Sequence, residues 1–392
     1  MPVGDATLLR TRLLFCLIGF AESAYVPFLP LLLRERGLDA QAIGAVLALY
    51  AAVGFAAGPV WGYLADRTVG RERALAISLC GIVVTATLFG LAYSTVALAA
   101  VGALLWFFRS PVLALADVLA LDRLGVDRRD AYGMVRLWMS VAFAVGAIGW
   151  GIAIQERGIG VMAPGYAVLT AFNAALVIAV FRGRWPRPIV VAPHERRGLG
   201  LGGAPSLVLF LLAILLMFAP FTASYNFAAV QIAALGGGAA FIGLAGGLQA
   251  AAEVPTMVAT SRYAARMRPA HVFAAGAFFY VLVYAVWAVV RDPAVLAATR
   301  VLAGFGFGLT TVGAVVIADE LVPKRLRATG QAASKAVSGG LAPVAGSLGG
   351  GLVFGYFGAT AMFVLAAVLA CTSALVAWAA ESVQLRTAEQ PS

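Results

Sequence analysis

Arg109–Phe143 reads RSPVLALADVLALDRLGVDRRDAYGMVRLWMSVAF. An apolar run carrying Arg109 and Asp117 meets a short charged loop, then a second apolar run with Arg136 near its start. Two such runs joined by a basic loop read as consecutive membrane helices. A charge at hydrocarbon depth costs on the order of 3 kcal/mol unless it pairs or faces water. A chain that keeps three charges in such runs keeps them for a solute, an ion or a gate.

The composition extends this reading to all 392 residues. Hydrophobic residues make up 62% and charged residues 12%, far from a soluble domain. The alternation of an outer-membrane barrel is missing, so the chain reads as an all-α, multi-pass membrane protein. The net charge of +10 is explained by loop arginines rather than by nucleic acid, which is not an expected partner. Cys16, Cys80 and Cys371 fall inside apolar runs, and His194 and His271 are isolated. Neither pattern points to a disulfide framework or a metal site. The N-terminus imitates a signal peptide, but its apolar run continues to Leu33 and predicts an uncleaved first helix.

Twelve apolar runs are long enough to span a bilayer, from Leu13–Leu33 to Ala359–Ala380. One alternating set of loops and tails holds 20 Lys and Arg residues and the opposite set 4, which predicts both termini in the cytoplasm. The location implied is the cytoplasmic (inner) membrane. A basic stretch rich in Pro and Gly, 182–205, separates six runs from six and predicts a linker between bundles 1–181 and 206–392. The division has an echo in the fifth and eleventh runs. Ala142, Gly146, Gly149, Gly151 and Gly158 recur as Ala342, Gly346, Gly349, Gly351 and Gly358, always 200 apart. The fold expected is twelve transmembrane helices in two pseudo-symmetric six-helix bundles with a site between them.

After the second run comes Gly62-Tyr-Leu-Ala-Asp66-Arg67-Thr-Val-Gly70-Arg71-Glu-Arg73. This resembles the loop signature of the major facilitator superfamily, a glycine, then Asp-Arg, then a glycine with basic residues; here one residue is extra before Gly70. The resemblance implies a conformational latch at Gly62, Asp66, Arg67, Gly70 and Arg71. Gly62 is expected to permit close helix contact, and Asp66 to bond the arginines. A basic loop that merely sets topology would explain the arginines but not Gly62 with Asp66.

Gly19–Leu33 and Ser110–Phe143 resemble the branch of lactose permease, phenylpropionate permease and nucleoside–proton symporters. The shared pattern is Pro111, Asp117 and Tyr132-Gly133-x-x-Arg136, and Leu248–Ala264 is similar to helix 8 of that branch. The resemblance implies that Asp117 and Arg136 bind solute, that Phe143 stacks on it, and that Glu253 both contacts the solute and takes part in proton coupling. Other positions depart from it. Leu282, Ala303, Gly306, Asn226 and Ala229 stand where the lactose permease carries its remaining charged groups, and only Arg300 has a cationic counterpart.

Glu22 and Arg109 are private to this chain. The cost of burial predicts that Glu22 meets Arg109 and that Glu253 meets Arg300. A continuous helix would place Arg109 and Asp117 on one face, about 12 Å apart. Two alternatives stay open for Asp117 and Arg136, a solute site or a brace at the helix ends, since Asp319 and Lys335 repeat the acid–cation order in the second half. Trp106, Trp138 and Trp287 line a cavity or an interfacial belt.

The function expected is secondary transport by alternating access, a proton symporter for an aromatic carboxylate, sugar or nucleoside. Arg109, Asp117, Arg136 and Phe143 are its solute-binding candidates, and Glu253, Glu22 and Arg300 its proton-coupling candidates. No cofactor beyond a proton gradient is implied, and no oligomer. A drug-type efflux pump is the alternative within the class. A channel or receptor is the alternative outside it, though scattered charges make no selectivity ring. Clustered nucleophiles or metal ligands, which an enzyme would need, are missing from the sequence.

Overall fold

The computed structural model of the chain describes residues 5–124, 132–181, 205–263, 266–321 and 327–389. Most of the expected linker, Arg128 and Arg129, and Lys324 and Arg325 lie outside the described residues. Among the described residues the chain is helical throughout, with no strand.

The helices are α1 (Asp5–Tyr25), α2 (Leu29–Glu35), α3 (Ala40–Tyr63), α4 (Arg71–Gly90), α5 (Thr95–Arg109), α6 (Val112–Leu124), α7 (Tyr132–Arg157) and α8 (Met162–Phe181). They continue as α9 (Pro205–Ala234), α10 (Ala239–Tyr263), α11 (Pro269–Val289), α12 (Pro293–Ala298), α13 (Arg300–Glu320), α14 (Arg327–Ala336) and α15 (Ala342–Glu389). Eleven stretches are long and apolar enough to cross a membrane, and the last runs 55 residues, Thr329–Val383. That length is more than double one crossing. It breaks at Gly358, where φ is +81° and ψ 176°, so it supplies two crossings. Twelve crossings in two pseudo-symmetric six-helix bundles result.

Several crossings are interrupted, two of them at prolines. The first gives way between Tyr25 and Leu29, around Pro27 and before Pro30. The fourth stops at Arg109 and resumes at Val112, with Pro111 in the gap. Arg109 and Asp117 therefore do not share one continuous helix, and the expected common face is corrected. The tenth changes over between Ala298 and Arg300.

The glycine repeat has a structural counterpart. Gly158 takes φ +84° and Gly358 φ +81°, the left-handed region that a Cβ disfavours. Each ends a helix at the same point of the repeat. Gly151 and Gly351 both sit where a Cβ would crowd a backbone carbonyl, of Ala239 at 2.8 Å and of Ala40 at 2.7 Å. Small residues there let helices approach to backbone distance.

By internal packing the chain forms two compact units. The first gathers α1, α2, α3 from Leu49 onward, α4 to α8, and α10 as far as Gly247. Its interior is aromatic near Tyr25, which stacks on Tyr166 at 4.8 Å and meets Phe89 edge-on at 6.1 Å. The second gathers the start of α3 up to Ala48, α9, α10 from Leu248, and α11 to α15. A chain of rings runs through its core, from Phe221 to Tyr280, Tyr284 and Trp287.

Candidate functional site

In the first unit, Arg109 at the end of α5 reaches Glu22 on α1. Its Nε donates to Glu22 Oε1 at 3.1 Å and Oε2 at 2.9 Å, and its Nη2 also donates to Oε2. The Tyr166 hydroxyl adds a bond to Oε1 at 3.2 Å. The guanidinium lies 4.6 Å from the Trp106 ring centroid. Only 21% of the Arg109 side chain and 14% of Glu22 is exposed. This is the pairing expected from the cost of two isolated charges, in the fork geometry that makes arginine–carboxylate bonds strong.

Asp117 on α6 and Arg136 on α7 also pair. Nη1 of Arg136 donates to both carboxylate oxygens, at 2.6 and 2.7 Å, and contacts the Tyr132 hydroxyl at 3.4 Å. The pair is more open than the first, with side chains 39% and 27% exposed. Phe143 lies two turns further along α7 and is half-buried. The brace reading needs a counterpart in the second half. There Lys335 is exposed and forms no ion pair among the described residues, so that symmetry is lacking.

The loop with the basic signature winds as a π-helical turn, Leu64–Thr68, and Gly70 then takes φ +84° to open α4. Arg71 is its hub. Nε donates to Asp66 at 3.1 Å and Nη1 to Asp122, at the end of α6, at 3.0 Å. Asp122 does not stand out in the sequence, because a lone loop-side acid carries no signal of its own. The expectation for Gly62 is corrected: a Cβ there would meet nothing within 4 Å, so no close helix contact requires it.

The second unit holds Glu253 on α10 and Arg300 at the start of α13. The direct contact expected between them is absent. Gln249, one turn before Glu253, stands between. Its Oε1 accepts from Arg300 Nη1 at 2.9 Å and its Nε2 donates to Glu253 Oε1 at 2.8 Å. A neutral amide thus satisfies both groups, which a count of charges alone overlooks. The guanidinium faces two rings, Tyr225 at 4.9 Å and Trp287 at 5.1 Å, an arrangement that favours a cation.

The rings are fixed from behind. The Trp287 indole donates to Thr299 at 2.9 Å, and the hydroxyls of Tyr284 and Ser224 lie 3.1 Å apart. Trp287 is 1% exposed, which corrects the expectation of a belt or cavity wall; Trp138 is 45% exposed. Gly304 brings α13 onto α10, since a Cβ there would lie 2.5 Å from the Gln249 carbonyl and 2.7 Å from Ala252 Cβ. Gly306, where the resemblance would have placed a charged group, leaves room for the Tyr280 ring, 2.9 Å from such a Cβ. Asn226, at another such position, donates to Ser347 at 3.1 Å.

Three further residues of these clusters escape a reading of the sequence. Gln249 is traceable from its four-residue spacing to Glu253, which puts the two on one helix face. Tyr225 and Tyr166 carry no such mark.

The chain as a whole is similar in sequence and fold to known proteins. Residues 12–365 match the MFS_1 like family. The maltose permease of Geobacillus stearothermophilus is 31% identical over 338 residues, covering 84% of this chain and 83% of that protein. Among solved structures, a mutant of the nucleoside transporter NupG superimposes with a TM-score of 0.81 at 17% identity, over 96% of this chain and 99% of that one. A mutant of the peptide transporter POT in complex with sulfate does so with 0.79 at 14% identity, over 98% and 97%. The chain is therefore a membrane transporter, not an enzyme, and it belongs to the MFS_1 like family of the major facilitator superfamily.

Proposed function

We propose that the chain is a proton-coupled importer of a small organic solute that works by alternating access. The observation that supports this is the contrast between its two buried acids. Glu22 is clamped by a guanidinium through several bonds, so protonating it would break an ion pair. Glu253 accepts from a neutral amide and has no cation bonded to it. An acid so held takes up and loses a proton at little structural cost, as a coupling group must.

In this reading Glu253 carries the proton, with Arg300 and Glu22 as the charged groups that balance it. Arg109, Asp117, Arg136 and Phe143 serve the solute, and Asp66, Arg71 and Asp122 bias one state of the cycle. The solute is a sugar, a nucleoside or an aromatic carboxylate; the permease relative favours the first. The protein acts as a monomer in the cytoplasmic membrane, with both termini cytoplasmic and no cofactor but the proton gradient. Proteoliposomes loaded at one pH and diluted into another test this with labelled maltose, uridine and benzoate. Saturable uptake of one of them, abolished by a protonophore, supports the reading. An ohmic solute-independent current, or uptake indifferent to the gradient, contradicts it.

A further inference from the structure

The first unit has a cleft that the proposed transport cycle does not use. It lies between α1, α6 and α8 and measures about 330 Å³ with its open mouth included. Its floor is apolar and closely packed: Leu14, Leu119, Ala120 and Val177 line it, each at most 4% exposed. Its rim carries two guanidiniums, Arg10 on α1 and Arg123 on α6, which lie within electrostatic reach of each other.

The three helices bring these residues to one depth. Leu8 opens the first crossing, and Leu124 and Val180 close the fourth and the sixth. The cleft residues fall within about two turns of those ends. Because successive crossings alternate in direction, the three ends lie on one face of the membrane, the face of the basic loops. A rim of cations over an apolar floor at the ends of crossing helices matches the boundary between lipid headgroups and acyl chains.

The charges there do not cancel. Like charges side by side repel, and Glu72, 8% exposed at the start of α4, offsets only one of the two. One positive charge is left among the three, and a phosphodiester carries one negative charge. A guanidinium presents several N–H donors in a fork that fits phosphate oxygens, so Arg123 can face Glu72 and a phosphate together. Two other occupants fit less well. Residues 182–204, which follow α8, carry Arg182, Arg184, Arg187, Arg196 and Arg197 against Glu195 alone, and would set like charge on the rim. A free phosphate would leave the apolar floor unused. A small soluble ligand is also normally engulfed by its pocket, whereas an open cleft suits a ligand whose other side is covered by the bilayer.

We propose that this cleft binds an anionic phospholipid of the surrounding bilayer. The phosphodiester sits between Arg10 and Arg123, and the first part of an acyl chain lies along the apolar floor. The guanidiniums set the selectivity, since an acyl chain meets apolar surface in the cleft and in the bilayer alike. A lipid held there joins α1, α6 and α8 at one end and steadies the first unit, whatever solute the transporter carries.

The test is thermal unfolding of the purified full chain in a nonionic detergent, with dioleoyl phosphatidylglycerol, dioleoyl phosphatidylcholine or inorganic phosphate added. The expected result is a saturable rise in unfolding temperature with phosphatidylglycerol and none with the other two. Arg10→Gln combined with Arg123→Gln should raise the half-saturating lipid concentration about tenfold or more, since each cation near the headgroup helps to hold an anionic lipid. If that pair does not fold, the exposed Arg10 can be changed alone, with about a fivefold rise expected. Arg262→Gln combined with Arg268→Gln removes the same charge from two exposed positions of the second unit and should leave the response as it is. Four results overturn the proposal: no saturable rise with phosphatidylglycerol, an equal rise with phosphatidylcholine, an equal rise with inorganic phosphate, or a response that the Arg10 variants keep or the Arg262 and Arg268 variant loses equally.

Discussion

Arg109 lies edge-on to the carboxylate of Glu22, 87 residues away in the chain, and its Nε alone reaches both oxygens, at 3.1 and 2.9 Å. Tyr166 completes the acid's partners and Trp106 covers the base. Such a pair is costly to break from one side, because the remaining charge is left buried.

Arg109→Met is therefore expected to lower stability by about 3–5 kcal/mol, read as a fall in the unfolding temperature of detergent-purified protein. The double variant Glu22→Met with Arg109→Met should recover most of that loss, since no charge is then stranded. A double variant no more stable than Arg109→Met would show that the pair does more than neutralise itself.

The Arg71 hub predicts a different pattern. Its two carboxylate bonds are half-exposed, with Asp66 47% and Asp122 56% accessible. Their contribution to stability should be below about 1 kcal/mol. Asp66→Asn and Asp122→Asn are nevertheless expected to slow solute counterflow while leaving binding affinity unchanged, since among the described residues Arg71 bonds only these two acids and neither bonds Arg136 or Arg109, so the hub biases a two-state equilibrium. A loss of affinity with unchanged turnover would place Asp66 in the solute site instead.

How far the residues disclose this in advance follows from the physics involved. The Glu22–Arg109 pair is legible because two isolated charges in apolar helices leave few other solutions. Asp117 with Arg136 is legible through a family pattern. The link between Arg300 and Glu253 is not, because a tally of charges ignores a neutral amide that satisfies both. The break at Pro111 is easily underestimated, since apolarity runs on unbroken through a helix interruption. The role expected of Gly62 fails for a related reason: a glycine's neighbours are set by how helices pack, which its own sequence does not record.

Gly304 offers a packing test of the second cluster. A methyl group there would meet the Gln249 carbonyl at 2.5 Å and Ala252 Cβ at 2.7 Å, neither of them a flexible tip. Gly304→Ala should push α13 off α10 at a cost of about 1–3 kcal/mol. It should also weaken gradient-driven accumulation, because Arg300 lies one turn away on the same helix and is held to Glu253 through Gln249. Unchanged accumulation and unfolding temperature would mean that α10 and α13 yield there, and that their close approach does not set the cluster's geometry.

The most direct test of the account is transport by Glu253→Gln in proteoliposomes. The glutamine keeps the shape of the protonated acid and still bonds to Gln249, so the carrier should alternate when loaded. Solute counterflow at saturating solute is expected to stay within about threefold of the natural chain, while accumulation driven by a pH gradient is lost. Gradient-driven accumulation that survives in Glu253→Gln would contradict the assignment of the proton to Glu253, and its loss in Glu22→Gln instead would move the proton to the first helix.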